Sequence, residues 1–328
     1  MFDNLEFHNL VVEKREGFSG VFLPRYPDAV RATLSERGRF VSMESTGGEI
    51  RFVTPAKNVR IYLSSLDNDS DVHVYRGDFH CGTHRVVKGA TSVIHLEVPA
   101  RFAEVKPEML AGTFSPDVWR IRFNRFAALL HDVDAFGFEV RPPSQDEKPA
   151  RTLLAYGSSI THSNANGYPQ HAARLLKTDM LNKGLSGACH CEPQAASFIA
   201  SLAWDYAFLE LGVNMRGGYT PDDFRSRAEH LIDLVLARRK PVAVTTIYPN
   251  FSDYELHETT SGLHDKAYSQ ILRDIVSQKS NPLLHRIEGA DVLSDVGGLS
   301  ADLIHPGDFG HALMGANLAR ILSSVFGI

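Results

Sequence analysis

Residues 153–163 read LLAYGSSITHS, an apolar run ending on two adjacent serines behind a glycine. A turn accounts for the glycine and one serine. A nucleophile presented at the end of a buried strand accounts for more. Three other short polar motifs lie farther along: GLSG at 184–187, GVNM at 212–215 and DLIHPG at 302–307. Singly, each is weak. A serine between strand and helix is most often an N-cap, a glycine in GLSG is usually a turn, and asparagine after Gly-Val is often a turn residue. Asp-x-x-His is common by chance. Together they hold the parts that acyl transfer needs: a nucleophile, a base, a group that orients the base, and donors for an oxyanion.

Ser159 is the candidate nucleophile. A serine hydroxyl is weak at neutral pH and needs a positioned base, the usual work of an imidazole, and His305 is the candidate. Asp302 precedes it by three residues, so one loop can bring the carboxylate to Nδ1–H and fix the tautomer. The backbone N–H groups of Ser159 and Gly187, with the side-chain amide of Asn214, are the candidate oxyanion donors. Glycine at 187 lets the backbone come close to a ligand. His162, three residues after Ser159, is a rival base or a substrate contact. It has no carboxylate at a fixed offset, so His305 is preferred.

These residues need a scaffold. Residues 1–143 read as β: segments 7–12, 49–54, 59–63, 71–75, 92–98, 119–123 and 135–140 are short, rich in β-branched and aromatic residues, and broken by Gly, Pro, Asn and Asp. That pattern predicts a sandwich or jelly roll. RPPSQDEKPAR at 141–151 is proline-rich and charged, so residues 144–150 read as a linker. From 151 to 328 strands and helices alternate: strands at 152–156, 179–183, 206–212, 242–248 and 283–288, and helices at 169–178, 193–202, 221–239, 264–278 and 311–325. The alternation predicts a parallel sheet covered by helices on both faces, with sites beyond the carboxyl ends of the strands. All four motifs fall at such ends or just before the last helix.

Composition narrows the partners. The chain has 328 residues, 43% of them hydrophobic, and a net charge of -5, which gives no basic surface for nucleic acid. No apolar run approaches a membrane span. The N-terminus lacks the charged and apolar regions of a signal peptide, so a cytoplasmic location is expected. Cys81, Cys189 and Cys191 are too few, and odd in number, for a disulfide framework. HCGTH at 80–84 has zinc-ligand types but no evident fourth ligand, and Cys189-His190-Cys191 lacks a second pair. The first reads as a surface hairpin with one core cysteine and the second as structural, although it lies close enough to Gly187 to line a pocket. Tyr248 and Phe251 follow a strand end where aromatics would suit an acyl group or a sugar face. Trp204 reads as core.

The four motifs as a set resemble the conserved blocks of the SGNH (GDSL-like) esterase and acylhydrolase superfamily: YGSSIT, NKGLSG, ELGVNM and DLIHPG. The resemblance covers residues 151–328. It implies a three-layer α/β/α domain of flavodoxin-like order, Ser159 rather than Ser158 as nucleophile because Ile160-Thr161 follows it, and hydrolysis without a metal or organic cofactor. Two positions depart from the pattern: Ser158 stands where Asp is usual, and Met215 where a second Asp is usual. An N-terminal β-sandwich before such a domain is similar to some carbohydrate-esterase and acyltransferase members. The substrate implied is a short-chain O-acyl ester, small-molecule or carbohydrate. An acyltransferase would use the same residues, and a non-catalytic carbohydrate-binding protein is the remaining alternative. A homo-oligomer is left open.

Overall fold

The computed structural model describes residues 2–328 and divides into two compact units. One comprises the chain up to residue 28 together with 42–150; the other comprises 29–41 together with 151–328.

In the first unit the strands are β1 (Glu6–His8), β2 (Val21–Phe22), β3 (Glu49–Val53), β4 (Asn58–Ser65), β5 (Ser70–Arg76), β6 (Phe79–Val86), β7 (Ser92–Glu97), β8 (Val118–Phe123) and β9 (Ala128–Asp134). They form two antiparallel sheets, in the orders β1-β3-β8-β5-β6 and β2-β9-β4-β7. Side chains alternate along β3 and β8. Ile50, Phe52, Trp119, Ile121 and Phe123 enter an apolar core shared with Val59, Ile61, Leu63, Ile94 and Leu96 of the second sheet. The strand expected at 135–140 does not form. Phe136 (φ 55°) and Gly137 (φ 84°) take the left-handed region just after β9 and turn the chain away. The HCGTH motif lies along β6, an edge strand with His80 and Cys81 exposed. Residues 144–150 are more ordered than solvated coil: Ser144 caps a 3-10 turn, Gln145–Glu147, and Arg141 pairs with Glu147 at 2.7 and 2.8 Å.

The opposite side of β3 and β8 carries charge. Glu49 lies across from Arg122, and Arg51 across from Arg120. The Glu49 carboxylate accepts from Arg51 Nε (2.7 Å), Arg120 Nε and Nη2 (2.9 and 2.7 Å) and Arg122 Nε (2.7 Å). Burial alone would push this carboxyl up; the guanidiniums of Arg120, Arg51 and Arg122 overcome that and hold it well below the usual carboxylate range.

The second unit takes α1 (Asp28–Arg31) and α2 (Glu36–Met43) in large part, because residues 29–41 cluster with it although the linear reading puts them in the first domain. Its remaining elements are β10 (Thr152–Tyr156), α3 (Ser159–His162), α4 (Tyr168–Leu175), β11 (Asp179–Asn182), α5 (Pro193–Ser201), β12 (Tyr206–Glu210), α6 (Pro221–Leu236), β13 (Val242–Thr245), α7 (Thr260–Lys279), β14 (Leu284–Ile287), α8 (Gly289–Val292) and α9 (Asp308–Phe326). The strands are parallel, in the order β11-β10-β12-β13-β14. This is the flavodoxin-like order, with its topological switch point between β10 and β12. Both strands are apolar nearly throughout, as burial on two faces requires. Leu153, Ala155 and Phe208 meet Met314, Leu318 and Leu322 of α9 in one core. Helix starts follow local chemistry: Thr220 and Asp223 form a capping box before α6, and Thr259 caps α7 a turn earlier than apolar spacing alone suggests. Among the described residues no helix is long and apolar enough to cross a membrane.

Removing one partner from a buried ion cluster leaves the others uncompensated. Glu49→Ala is therefore expected to destabilise the first unit by about 3–5 kcal/mol. Chemical denaturation of the two proteins checks this; a loss below about 1 kcal/mol would show that the three guanidiniums are hydrated without Glu49.

Candidate active site

The switch point is where β10 ends. Gly157 follows Tyr156, and a Cβ on it would lie 2.5 Å from both Glu210 Oε2 and Thr161 Oγ1. The chain then enters α3. Ser158 is the N-cap, its hydroxyl accepting the N–H of Ile160 at 3.1 Å. The capping that a serine between strand and helix usually supplies is thus supplied here by Ser158. Ser159, half-buried in the first turn, has its Oγ 2.7 Å from Nε2 of His305.

His305 and Asp302 come from the loop before α9. This loop is closed on itself: Leu299 bridges Pro306, Ser300 N–H donates to the His305 carbonyl at 2.8 Å, and Leu303 adopts φ 54°. Asp302 Oδ2 lies 2.7 Å from His305 Nδ1, and Oδ1 accepts from the N–H groups of Ile304 and His305 and from Ser300 Oγ, each at 2.9 Å. Partial burial works against the ionised form, but the His305 and Ile304 N–H groups, the His305 ring and the Ser300 hydroxyl hold the carboxyl well below the ordinary range. A carboxylate facing Nδ1 fixes the proton there, which leaves Nε2 to accept from Ser159.

Three donors surround the same strand ends. Among the described residues no acceptor lies on the N–H groups of Ser159 or Gly187. Gly187 has φ 71°, a conformation that glycine adopts without strain. Asn214, in the turn after β12, uses Oδ1 to accept from Cys189 N–H at 3.2 Å, which leaves its NH2 directed elsewhere. The loop carrying Gly187 is braced from two sides. Ser186 N–H donates to His162 Nδ1 at 3.3 Å, and Arg37 Nε donates to the Ser186 carbonyl at 3.1 Å.

The expected residues Ser159, His305, Asp302, Gly187 and Asn214 therefore surround one switch point, and several others do not face it. His162 is fully buried and holds the Gly187 loop, so it is neither an exposed base nor a substrate contact. The close approach of Gly184, where a Cβ would meet His162 N at 2.4 Å, explains that burial. Cys189 and Cys191 are buried free thiols rather than pocket walls, and burial pushes the Cys189 thiol up. Tyr248 is buried and donates to Tyr168 OH at 3.0 Å, so it does not offer a face to an acyl group. Met215 is core, as is Trp204, whose Nε1 donates to the Ile199 carbonyl at 3.2 Å.

Two residues were not anticipated. Arg37 sits in the 29–41 excursion and no local motif marks it. Glu210 closes β12, fully buried, beneath Ser158; burial pushes its carboxyl up to about 7 against the hydrogen bonds from Ser158 and Thr161. A single charged residue ending an apolar strand, YAFLE, was the available signal.

Comparison with known proteins places the domain and the fold. Residues 155–313 match the model of the GDSL-like Lipase/Acylhydrolase family. No curated protein sequence matches the chain significantly. Solved structures are similar over nearly the whole chain. One is the salicylyl-acyltransferase SsfX3 from a tetracycline biosynthetic pathway, with TM-score 0.79, 15% identity, 98% of this chain and 95% of that one covered. Another is a family two carbohydrate esterase from Clostridium thermocellum in complex with cellohexaose, with TM-score 0.63, 13% identity and 98% and 99% covered. A third is an acetyl xylan esterase from the rumen bacterium Butyrivibrio proteoclasticus, with TM-score 0.61, 12% identity and 100% and 97% covered. At these identities the likeness is one of fold. Residues 155–313 are a GDSL-like lipase/acylhydrolase domain, and the protein is an enzyme of the SGNH hydrolase type.

Proposed function

We propose that the protein is a serine esterase that cleaves short-chain O-acyl esters, with acetyl groups on carbohydrate as the substrate class. The observation that carries this reading is the unbroken row from Ser159 Oγ to His305 Nε2 and from His305 Nδ1 to Asp302, with both links at 2.7 Å. Ser159 Oγ attacks the ester carbonyl while His305 Nε2 takes its proton. Asp302 holds the imidazolium that forms. The carbonyl oxygen becomes an oxyanion and takes N–H donors from Ser159, Gly187 and Asn214. The tetrahedral intermediate collapses, the C–O bond breaks, and His305 returns the proton to the leaving alcohol. Water then attacks the acyl-Ser159 ester with His305 again as base; the acyl C–Oγ bond breaks, the carboxylic acid leaves and His305 returns the proton to Ser159 Oγ. Every step uses groups of this chain.

The carbohydrate assignment is supported by the whole-chain likeness in fold to carbohydrate esterases. Transfer of the acyl group to a second alcohol is the alternative reading, supported in the same way by the likeness to an acyltransferase. The two part company only at the acyl-enzyme. Adding candidate sugar and phenol acceptors to a reaction on a p-nitrophenyl ester separates them. An esterase releases free acid at an unchanged rate, whereas a transferase forms the new ester at the expense of the acid.

On p-nitrophenyl acetate, Ser159→Ala is expected to lose at least about 1,000-fold in kcat, while Ser158→Ala keeps measurable turnover. Loss in Ser158→Ala alone would move the nucleophile by one residue. Asn214→Ala is expected to lower kcat by roughly 100- to 1,000-fold with little change in KM, the signature of a donor used mainly in the transition state. An equal loss in both parameters' ratio through KM alone would assign Asn214 to ground-state binding.

A further inference from the structure

Glu210 belongs to none of the roles above, yet it is the buried carboxylate beneath the nucleophile turn. Its Oε2 accepts from Ser158 N–H at 2.7 Å, Ser158 Oγ–H at 2.8 Å and Thr161 Oγ–H at 3.0 Å. The row continues outward. Thr161 Oγ lies 2.6 Å from Tyr168 OH, which accepts from Tyr248 OH at 3.0 Å. Thr161 gives its one hydroxyl proton to Glu210, so Tyr168 donates to Thr161 and Tyr248 to Tyr168. Every proton in the row points towards one carboxylate oxygen. Oε2 therefore carries no proton of its own, and three donors gathered on one oxygen are bound most strongly when the carboxyl is ionised.

We propose that Glu210 is a positioning residue for Ser159, its carboxylate anchoring the Ser158–Ser159 turn as an anion. The anchoring stands on geometry alone; its effect on rate rests on the esterase reading. Ser158 is the link. Its hydroxyl donates to Glu210 and accepts the N–H of Ile160, so the residue before Ser159 is held at backbone and side chain together. Gly157 is part of the same fit, because any Cβ there would displace Glu210 and Thr161.

The groups facing Glu210 from each packed element are Ser158 and Thr161 at α3, Tyr168 of α4, Tyr248 beyond β13 and Cys189 beyond β11. None is a cation. The ionised carboxylate is therefore held by hydrogen bonds against the cost of burial, and its folded pKa rises to about 7 from the ordinary 4.5. The sign follows. The folded chain binds this proton more tightly than the unfolded chain does, so the stability it contributes is full below the unfolded value and is lost as pH rises through about 7. Function would use the form that stability disfavours, a trade common at active sites.

The test compares wild type, Glu210→Gln and Glu210→Ala. Melting temperature is followed across about pH 5–9, kcat and KM on p-nitrophenyl acetate are measured, and amide hydrogen exchange is read by mass spectrometry over residues 157–160. Glu210→Gln is expected to escape the fall in melting temperature that wild type shows as pH rises, and to be at least as stable at alkaline pH. Its kcat nonetheless falls on the order of 10- to 100-fold with KM unchanged, as small misplacement of a nucleophile does. Glu210→Ala exchanges faster at residues 157–160. A Glu210→Gln protein with full kcat, or one that loses stability and rate together at every pH, overturns the proposal, since a packing role would give the latter. Wild type inert towards both the acetate and a fluorophosphonate would sink the esterase reading. In that case exchange still decides the anchoring: faster exchange in Glu210→Ala upholds it, and unchanged protection overturns it.

Discussion

A serine hydroxyl cannot cap its own helix and attack a carbonyl at once. The first use turns its oxygen towards a backbone N–H; the second leaves it free to face a base. On the proposed esterase reading, the YGSSIT turn divides the two tasks between neighbours. Ser158 caps α3 and is tied down by Glu210, and Ser159 is left with its Oγ against His305. Much of the surrounding architecture follows from keeping those two residues in register. Gly157 carries no Cβ because Glu210 and Thr161 fill that space. Gly184 lets the loop after β11 lie against the backbone of His162.

The sheet order does the rest of the assembly. In a β11-β10-β12-β13-β14 sheet the chain leaves β10 and β12 on opposite sides, and a crevice opens between their carboxyl ends. Ser159 comes off one strand and Asn214 off the other, and the loop bearing Gly187 returns from the strand on the far side of β10. The Asp302–His305 loop reaches the same place from the chain's end. It is held by its own backbone bonds and by Leu303 in a strained conformation. Each contributor is short and tightly bonded, which suits a geometry that must be right before substrate arrives.

The order of strands and helices in the second unit was legible because parallel strands buried on both faces read as apolar runs, and the motifs sat where such strands end. Thr152–Tyr156 and Tyr206–Glu210 are examples. What stayed hidden depended on contacts distant in sequence. Nothing near His162 announces that Gly184 would press it into the interior. Nothing near Arg37 announces its bond to Ser186, 149 residues away. The HCGTH region was legible as a surface hairpin, but Cys81 is exposed rather than core, because an edge strand with a polar pattern gives no sign of which face is covered. The strand expected at 135–140 failed on a left-handed Phe136, a residue type whose φ is set by its surroundings rather than by its side chain.

On the esterase reading the turn presents Ser159, and not Ser158, to the substrate. Peptide mapping by tandem mass spectrometry of the wild-type protein after reaction with a fluorophosphonate locates the phosphonyl group to a single residue. The adduct is expected on Ser159 alone, because the Ser158 oxygen is engaged by both Glu210 and Ile160. An adduct on Ser158 would contradict that assignment.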